Sequence, residues 1–266
     1  MYKIRPYKRI VCLTEETTET LYNLGLDELI VGITRYTFRP AIARKTKPKV
    51  SGYIDAKFDK IIALQPDLVI TWSDLQADIT AELIRRGVEV ICFNHRDING
   101  ILSMIYKLGS LLGESEKAEK YIEKLVAKLE KARLIGENRK HRPKVYFEEW
   151  YDPLISGITW VSEIIELCGG DDVYIQNRHF YDAKRRIIPT FEDVIPRNPD
   201  IMIASWCGKK FKKDMVLSRV GWDNINAIKN NEIYEIKSEI ILQPGPAALT
   251  DGVEIIMNII DNWEKK

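Results

Sequence analysis

Short apolar runs alternate with longer mixed stretches in the first part of the chain. RIVCL (9–13), LIVGI (29–33), LVITW (68–72) and VEVICF (88–93) are bounded by polar residues and read as buried strands. A polar loop, TEETTE (14–19), leads into a helix that stops at Gly25, where glycine tolerates the left-handed backbone of a helix end. Further helices are predicted over 57–65 and over 76–86, the latter stopped by Gly87, while 34–50 reads as irregular, basic and aromatic. Strand and helix in turn predict a parallel sheet with helices on its faces.

From Glu114 to Asn138 the period changes. Ala118, Tyr121, Ile122, Leu125, Val126, Leu129 and Ala132 recur at steps of three and four among Lys and Glu, which predicts one long helix with a single apolar stripe. At 1.5 Å per residue it would run about 35 Å, and with no Gly or Pro before Gly136 it should be stiff. After Pro143 the alternation restarts. KVYFEEW (144–150) is a strand, VSEIIELCGGDD (161–172) a helix ending in Gly-Gly, and 177–186 a basic aromatic loop. A helix over 214–229, the strand EIYEIK (232–237) and a last helix over 247–263 complete the order.

The two parts also share text. KFDKIIALQPDLVITW (57–72) is answered by TFEDVIPRNPDIMIASW (190–206): Phe58 by Phe191, Asp59 by Glu192 and Pro66-Asp67 by Pro199-Asp200. The predicted class is therefore α/β. Two pseudo-symmetric lobes with mainly parallel sheets, 1–112 and 139–266, are joined by one long rigid helix, 113–138. Ligands of open α/β sheets sit beyond the carboxyl ends of the strands. Trp72 and Trp206 lie at such ends and are expected to point into one cleft if the lobes face each other; core packing is the alternative for each. Tyr36, Phe38, Tyr53, Trp150, Tyr151, Trp160, Phe180 and Tyr181 lie in loops at the same rim, and flat side chains of this kind suit a large planar ligand. Asp59 and Glu192 sit in the first turn of equivalent helices. The helix dipole alone accounts for an acid at either place; their equivalence adds the reading that they are paired docking points.

Composition narrows the class. The 266 residues include 40 basic and 39 acidic side chains, a net charge of +1, so neither nucleic acid nor an anionic membrane is the expected partner. No apolar run approaches the roughly 20 residues of a bilayer span. MYKIRPYKRIVCL has no signal-length apolar run either, so a soluble chain is expected, either intracellular or a mature exported form. The 4 cysteines are widely spaced, two of them inside apolar strand-like runs, and read as buried free thiols. Catalysis finds little support: 3 histidines in no metal-binding spacing, no nucleophile elbow and no phosphate loop. Glu148 and Glu149, adjacent on a strand, should face opposite ways. His179 is read as a surface residue, with axial ligation as the alternative. Neither a required cofactor nor a metal site is expected.

KVSGYIDAKFDKIIALQPDLVITW, WYDPLISGITWVSEIIELCGGDD and RRIIPTFEDVIPRNPDIMI, in this order with the long helix between, resemble the helical-backbone (class III) substrate-binding proteins of ABC importers. The similarity is greatest to the cobalamin-binding members and spans about 8–262. It implies a non-enzymatic, monomeric receptor that holds its ligand between two lobes, works outside the cytoplasm and hands the ligand to a membrane permease. By the family pattern Tyr53, Trp72, Trp160 and Trp206 would meet the corrin, and Asp59 and Glu192 would pair with permease arginines; Tyr36 and Phe38 are expected as further ligand contacts from their place in the rim loop. Arg186 stands where a pocket aromatic is usual. With Lys184, Arg185, Lys209 and Lys210 it leaves open a ferric siderophore or haem as ligand. A chelatase-like enzyme subunit on a similar two-lobed frame is a third reading.

Overall fold

The computed structural model describes residues 7–266; the start of the segment read for an export signal lies outside them. The chain forms two compact units, one holding the residues up to His95 with Asn99–Leu125, the other Arg96–Ile98 with Val126–Lys266.

The first unit runs β1 (Ile10–Cys12), α1 (Glu15–Asn23), β2 (Ile30–Thr34), α2 (Ala41–Thr46), β3 (Lys49–Ser51), α3 (Phe58–Ala63), β4 (Leu68–Trp72), α4 (Ala77–Arg85), β5 (Val90–Phe93), α5 (Ile98–Leu111) and the start of α6 (Ser115–Glu137). Its strands pair in parallel in the order β3-β2-β1-β4-β5. Val11, Leu13, Val50, Ile61, Val69, Ile79 and Leu83 form a core cluster of this unit. The helix α6 is unbroken, and the boundary between the units falls inside it, between Leu125 and Val126.

The second unit contains β6 (Lys144–Tyr151), β7 (Leu154–Ser156), α7 (Thr159–Leu167), β8 (Asp171–Asp172), β9 (Ile201–Ala204), α8 (Lys213–Leu217), α9 (Asn226–Lys229), β10 (Ile233–Glu235), α10 (Ser238–Ile241) and α11 (Val253–Glu264). Here β10-β9-β6 are parallel, β8 adds in parallel to β6, and β7 folds back antiparallel on it.

The repeated Pro-Asp has a structural task in both units. Asp67 ends the chain's approach to β4, and its carboxylate accepts the backbone N–H groups of Lys8 and Arg9 at 2.7 and 2.9 Å, next to β1. Asp200 accepts the N–H of Lys144, the first residue of β6, at 3.0 Å. The backbone N–H groups of Asp67 and Asp200 donate in turn to Arg9 and Lys144. The motif therefore joins the strand of the repeated segment, β4 or β9, to the first strand of its unit, β1 or β6.

Several predicted elements differ. The helix answering α3 is a 3-10 turn, Phe191–Arg197, because Pro196 inside it has no N–H to give an α-helical ladder. The helix expected over 214–229 is divided at Gly221, whose φ of 79° leaves the helical region. TEETTE is not a loop but the first turns of α1. The stretch read as irregular holds α2 and β3, and α5 adds a helix to the prediction. All four cysteines are free, as expected, but only Cys12 and Cys168 are buried; Cys92 and Cys207 are exposed, which corrects the expectation of buried thiols for those two.

Candidate functional site

In the first unit the loops after the parallel strands β2 and β3 carry aromatics that reach the surface. Tyr36 and Phe38, each 42% exposed, follow β2, and Tyr53, half-buried, follows β3. Arg35 lies 5.8 Å from the Tyr36 ring and Arg44 4.4 Å from that of Phe38. Two polar side chains hold these loops from below. Gln76, fully buried, donates to the carbonyls of Leu13 and Tyr53 at 3.2 and 2.8 Å and accepts the N–H of Trp72 at 3.0 Å, so it ties the ends of β1 and β4 to the Tyr53 loop. Glu15 accepts the N–H groups of Phe38 and Arg39, both at 2.8 Å. Burial pushes the Glu15 carboxyl up to about 8 and that of Glu16 up to about 7, against their hydrogen bonds. Sequence reasoning missed both Glu15 and Gln76. An acidic, threonine-rich segment reads as solvated, whereas the whole stretch from Glu15 to Leu21 is buried.

Trp72 ends β4 as expected, but its indole is only 4% exposed; it donates to the His95 carbonyl at 3.3 Å and meets the His95 ring edge-on. Trp160 is 1% exposed and donates to the carbonyl of Ile241 at 2.8 Å, fastening α7 to α10. Trp206, 2% exposed, belongs to the core of its unit. All three indoles are buried, which for Trp72 and Trp206 is the core packing weighed as the alternative to a place in the ligand cleft. For Trp206 the reason is visible: Tyr151 covers it at 4.5 Å between ring centres and Phe211 meets it at 5.0 Å. Tyr151 and Trp150, half-buried and 5.0 Å apart, are the outer aromatics here, and the Lys209 ammonium lies 4.3 Å from the Tyr151 ring.

Charge in the second unit is arranged by alternate sides of β6. Glu148, completely buried, takes both arms of Arg219 at 2.6 and 2.9 Å, the Trp206 indole N–H at 2.9 Å and the Tyr146 hydroxyl at 2.9 Å. Glu149 takes both arms of Arg186 at 2.6 and 3.1 Å. The two acids do face apart, and each has its own arginine. Arg186 also donates to the Ser156 carbonyl at 2.5 Å and is 1% exposed. It was expected to face the ligand; it is an internal tie between the segment 184–186 and β6–β7, its charge matched by Glu149. His179 is exposed. Among the described residues no three His, Cys, Asp or Glu side chains gather as a metal site, and no helix is long and apolar enough to cross a membrane.

Asp59 and Glu192 are exposed second residues of α3 and of the 191–197 turn. Asp59 pairs with Arg86 at 3.1 Å, and Arg86 with Glu82 at 2.8 Å. Glu192 is held below the usual carboxylate range by its own backbone N–H and by the Thr190 hydroxyl. Exposed apolar side chains flank both, Ile62 in one unit and Phe191 in the other.

Over 254 residues the chain is 28% identical to the vitamin B12-binding protein of Vibrio campbellii, covering 94% of this chain and 88% of that one. Over 261 residues it is 29% identical to an uncharacterized ABC transporter substrate-binding lipoprotein of Bacillus subtilis, covering 93% and 78%. The solved periplasmic heme-binding protein of Roseiflexus sp. RS-1, in apo form, shares the fold with a TM-score of 0.80 at 21% identity, over 95% of this chain and 99% of that one. The periplasmic binding protein family matches residues 10–240, and to that family this chain belongs.

Proposed function

We propose that the protein captures cobalamin or a related corrinoid on its aromatic rims and delivers it, outside the cytoplasm, to an ABC importer. The task is capture and release, without catalysis. Tyr36, Phe38 and Tyr53 in the first unit and Trp150 and Tyr151 in the second are the proposed contact surfaces. Trp72 and Trp206 support them from beneath, and Trp160 and Arg186 hold the surrounding chain. The observation that carries the reading is the partnership of Arg186 with Glu149. One of the five cations that argued for an anionic chelate, Arg186, is neutralised from within, and the aromatic rims suit a bulky, largely neutral ring system. The names of the vitamin B12-binding relatives support the same ligand.

The likeness to a heme-binding structure, with the exposed Lys184 and Lys210, favours haem or a ferric siderophore as the second reading. Titration separates the two. Of the 6 tryptophans, Trp150, Trp160, Trp206, Trp222 and Trp263 belong to the second unit, so fluorescence reports mainly there. Cyanocobalamin and cobinamide should quench it at micromolar concentration or below, and hemin and ferric hydroxamates should fail to compete. Calorimetry showing no heat with either corrinoid, or displacement of both by hemin, would remove the corrinoid reading. Asp59 and Glu192 are the proposed permease contacts. Each is an exposed carboxylate with an apolar neighbour on equivalent elements of the two units, the mixture expected of a docking surface.

A further inference from the structure

We propose that Glu15 is the positioning residue of the aromatic loop after β2: by accepting the Phe38 and Arg39 N–H groups it fixes the backbone that presents Tyr36 and Phe38. The inference rests on the reading that these two rings meet the ligand.

The loop has weak internal means of holding its shape. The N–H of Tyr36 reaches the Thr34 hydroxyl only at 3.4 Å, and that of Thr37 reaches the Thr34 carbonyl at 3.2 Å. Arg35 ties the loop to β3 through its N–H to Ser51, at 2.8 Å. Beyond Thr37 the short bonds come from α1. A single oxygen of Glu15 accepts two consecutive N–H groups at 2.8 Å, and Glu19, one helical turn on, takes the Arg39 side chain at 3.0 Å. Residues four apart lie on one helix face, so both acids reach the same loop. The loop's far side is set by Arg44 over the Phe38 ring.

Glu15 is an expensive residue for this task. It is buried at the head of a helix that also buries Glu16 and Glu19, and its second oxygen is buried with no hydrogen-bond partner. Burying a carboxyl without a facing cation costs free energy, which the fold must recover from what the group holds. Its elevated titration point leaves it largely protonated near neutrality. A glutamine, neutral and of the same shape, should therefore reproduce its one working oxygen, and a leucine should not.

The experiment compares Glu15→Gln and Glu15→Leu in the full chain. Amide hydrogen exchange of Phe38 and Arg39 reads the loop, and cyanocobalamin titration reads the function. In Glu15→Leu, exchange at Phe38 and Arg39 should speed up about tenfold or more, as expected for the loss of two hydrogen bonds. Exchange in β1 and β4 should stay slow, and affinity should fall by about tenfold. Glu15→Gln should keep both within about threefold of the parent protein. Unchanged exchange in the leucine variant, failure of glutamine to rescue, or a loosened loop with undiminished affinity would each overturn the proposal. If the parent protein takes up no cyanocobalamin, the functional reading falls instead, and the exchange measurement still decides whether Glu15 holds the loop.

Discussion

Replacing Arg219 by Met should cost the second unit about 3–5 kcal/mol, the loss typical when a buried ion pair is left with one partner. Met keeps an unbranched stem but removes the guanidinium, whose carbon lies 5.0 Å from the Phe191 ring and 4.4 Å from the Trp222 ring, so the change removes the ion pair together with these two ring contacts. It leaves Glu148 completely buried, with two of its four hydrogen bonds gone and only the Tyr146 hydroxyl and the Trp206 indole remaining. Adding Glu148→Gln to that variant should restore roughly 2 kcal/mol or more. The amide oxygen can still accept the indole N–H, its NH2 can donate to the Tyr146 oxygen, and no charge stays buried. Glu148→Gln alone should be destabilising, since it strands the guanidinium. A chain with two compact units need not unfold in one step, so the assay is guanidinium chloride unfolding followed by tryptophan fluorescence. A loss below about 1 kcal/mol for Arg219→Met, or no rescue by glutamine, would refute the account of β6 as a strand with a self-neutralised acid on each side.

Three further outcomes are expected. Glu15 and Glu16 carry protons in the folded state up to about 8 and 7, whereas an unfolded carboxyl releases them near 4.5. The native state thus binds more protons in that window, so stability is fullest below about 4.5 and falls as pH rises to about 8, by at most about 1.4 kcal/mol per pH unit for each group. The slope of Tm against pH between 5 and 8 should flatten in Glu15→Gln/Glu16→Gln, and an unaltered slope would contradict it. Gly136→Ala would place a methyl 2.4 Å from the Leu167 carbonyl oxygen and 2.8 Å from the Gly169 nitrogen, so it should cost about 1–3 kcal/mol by thermal unfolding; a neutral result would mean that α6 shifts freely over the end of α7. Asp59→Lys with Glu192→Lys should leave corrinoid affinity intact while abolishing stimulation of the permease ATPase, and loss of both properties together would make the two carboxylates structural.

The frame was legible because its signals are local. Strands such as LVITW are continuous apolar runs, glycines close the helices, and the Pro-Asp pairs repeat at one offset beside the strands they join. Helix α5 is missing from the expectation although its apolar residues recur at helical steps. Gly109 weakens the signal, and it is there because a side chain would meet the Ala118 Cβ at 2.4 Å. The rims were legible as aromatic-rich loops, but which rings face outward was not. Trp206 is covered by a tyrosine far earlier in the chain, and Arg186 is matched by Glu149 across 37 residues. Glu15 and Gln76 were hidden for the same reason, since their partners lie 23 and 63 residues away.

The closed pair of Arg186 and Glu149 bears on how the protein behaves in different media. Dissolved electrolyte weakens attraction between separated charges and does less to a couple already joined and largely shielded from water. Grip on a neutral ring system should then hold nearly level from dilute buffer to strong brine, whereas counting the arginines and lysines along 184–210 would foretell a steep decline.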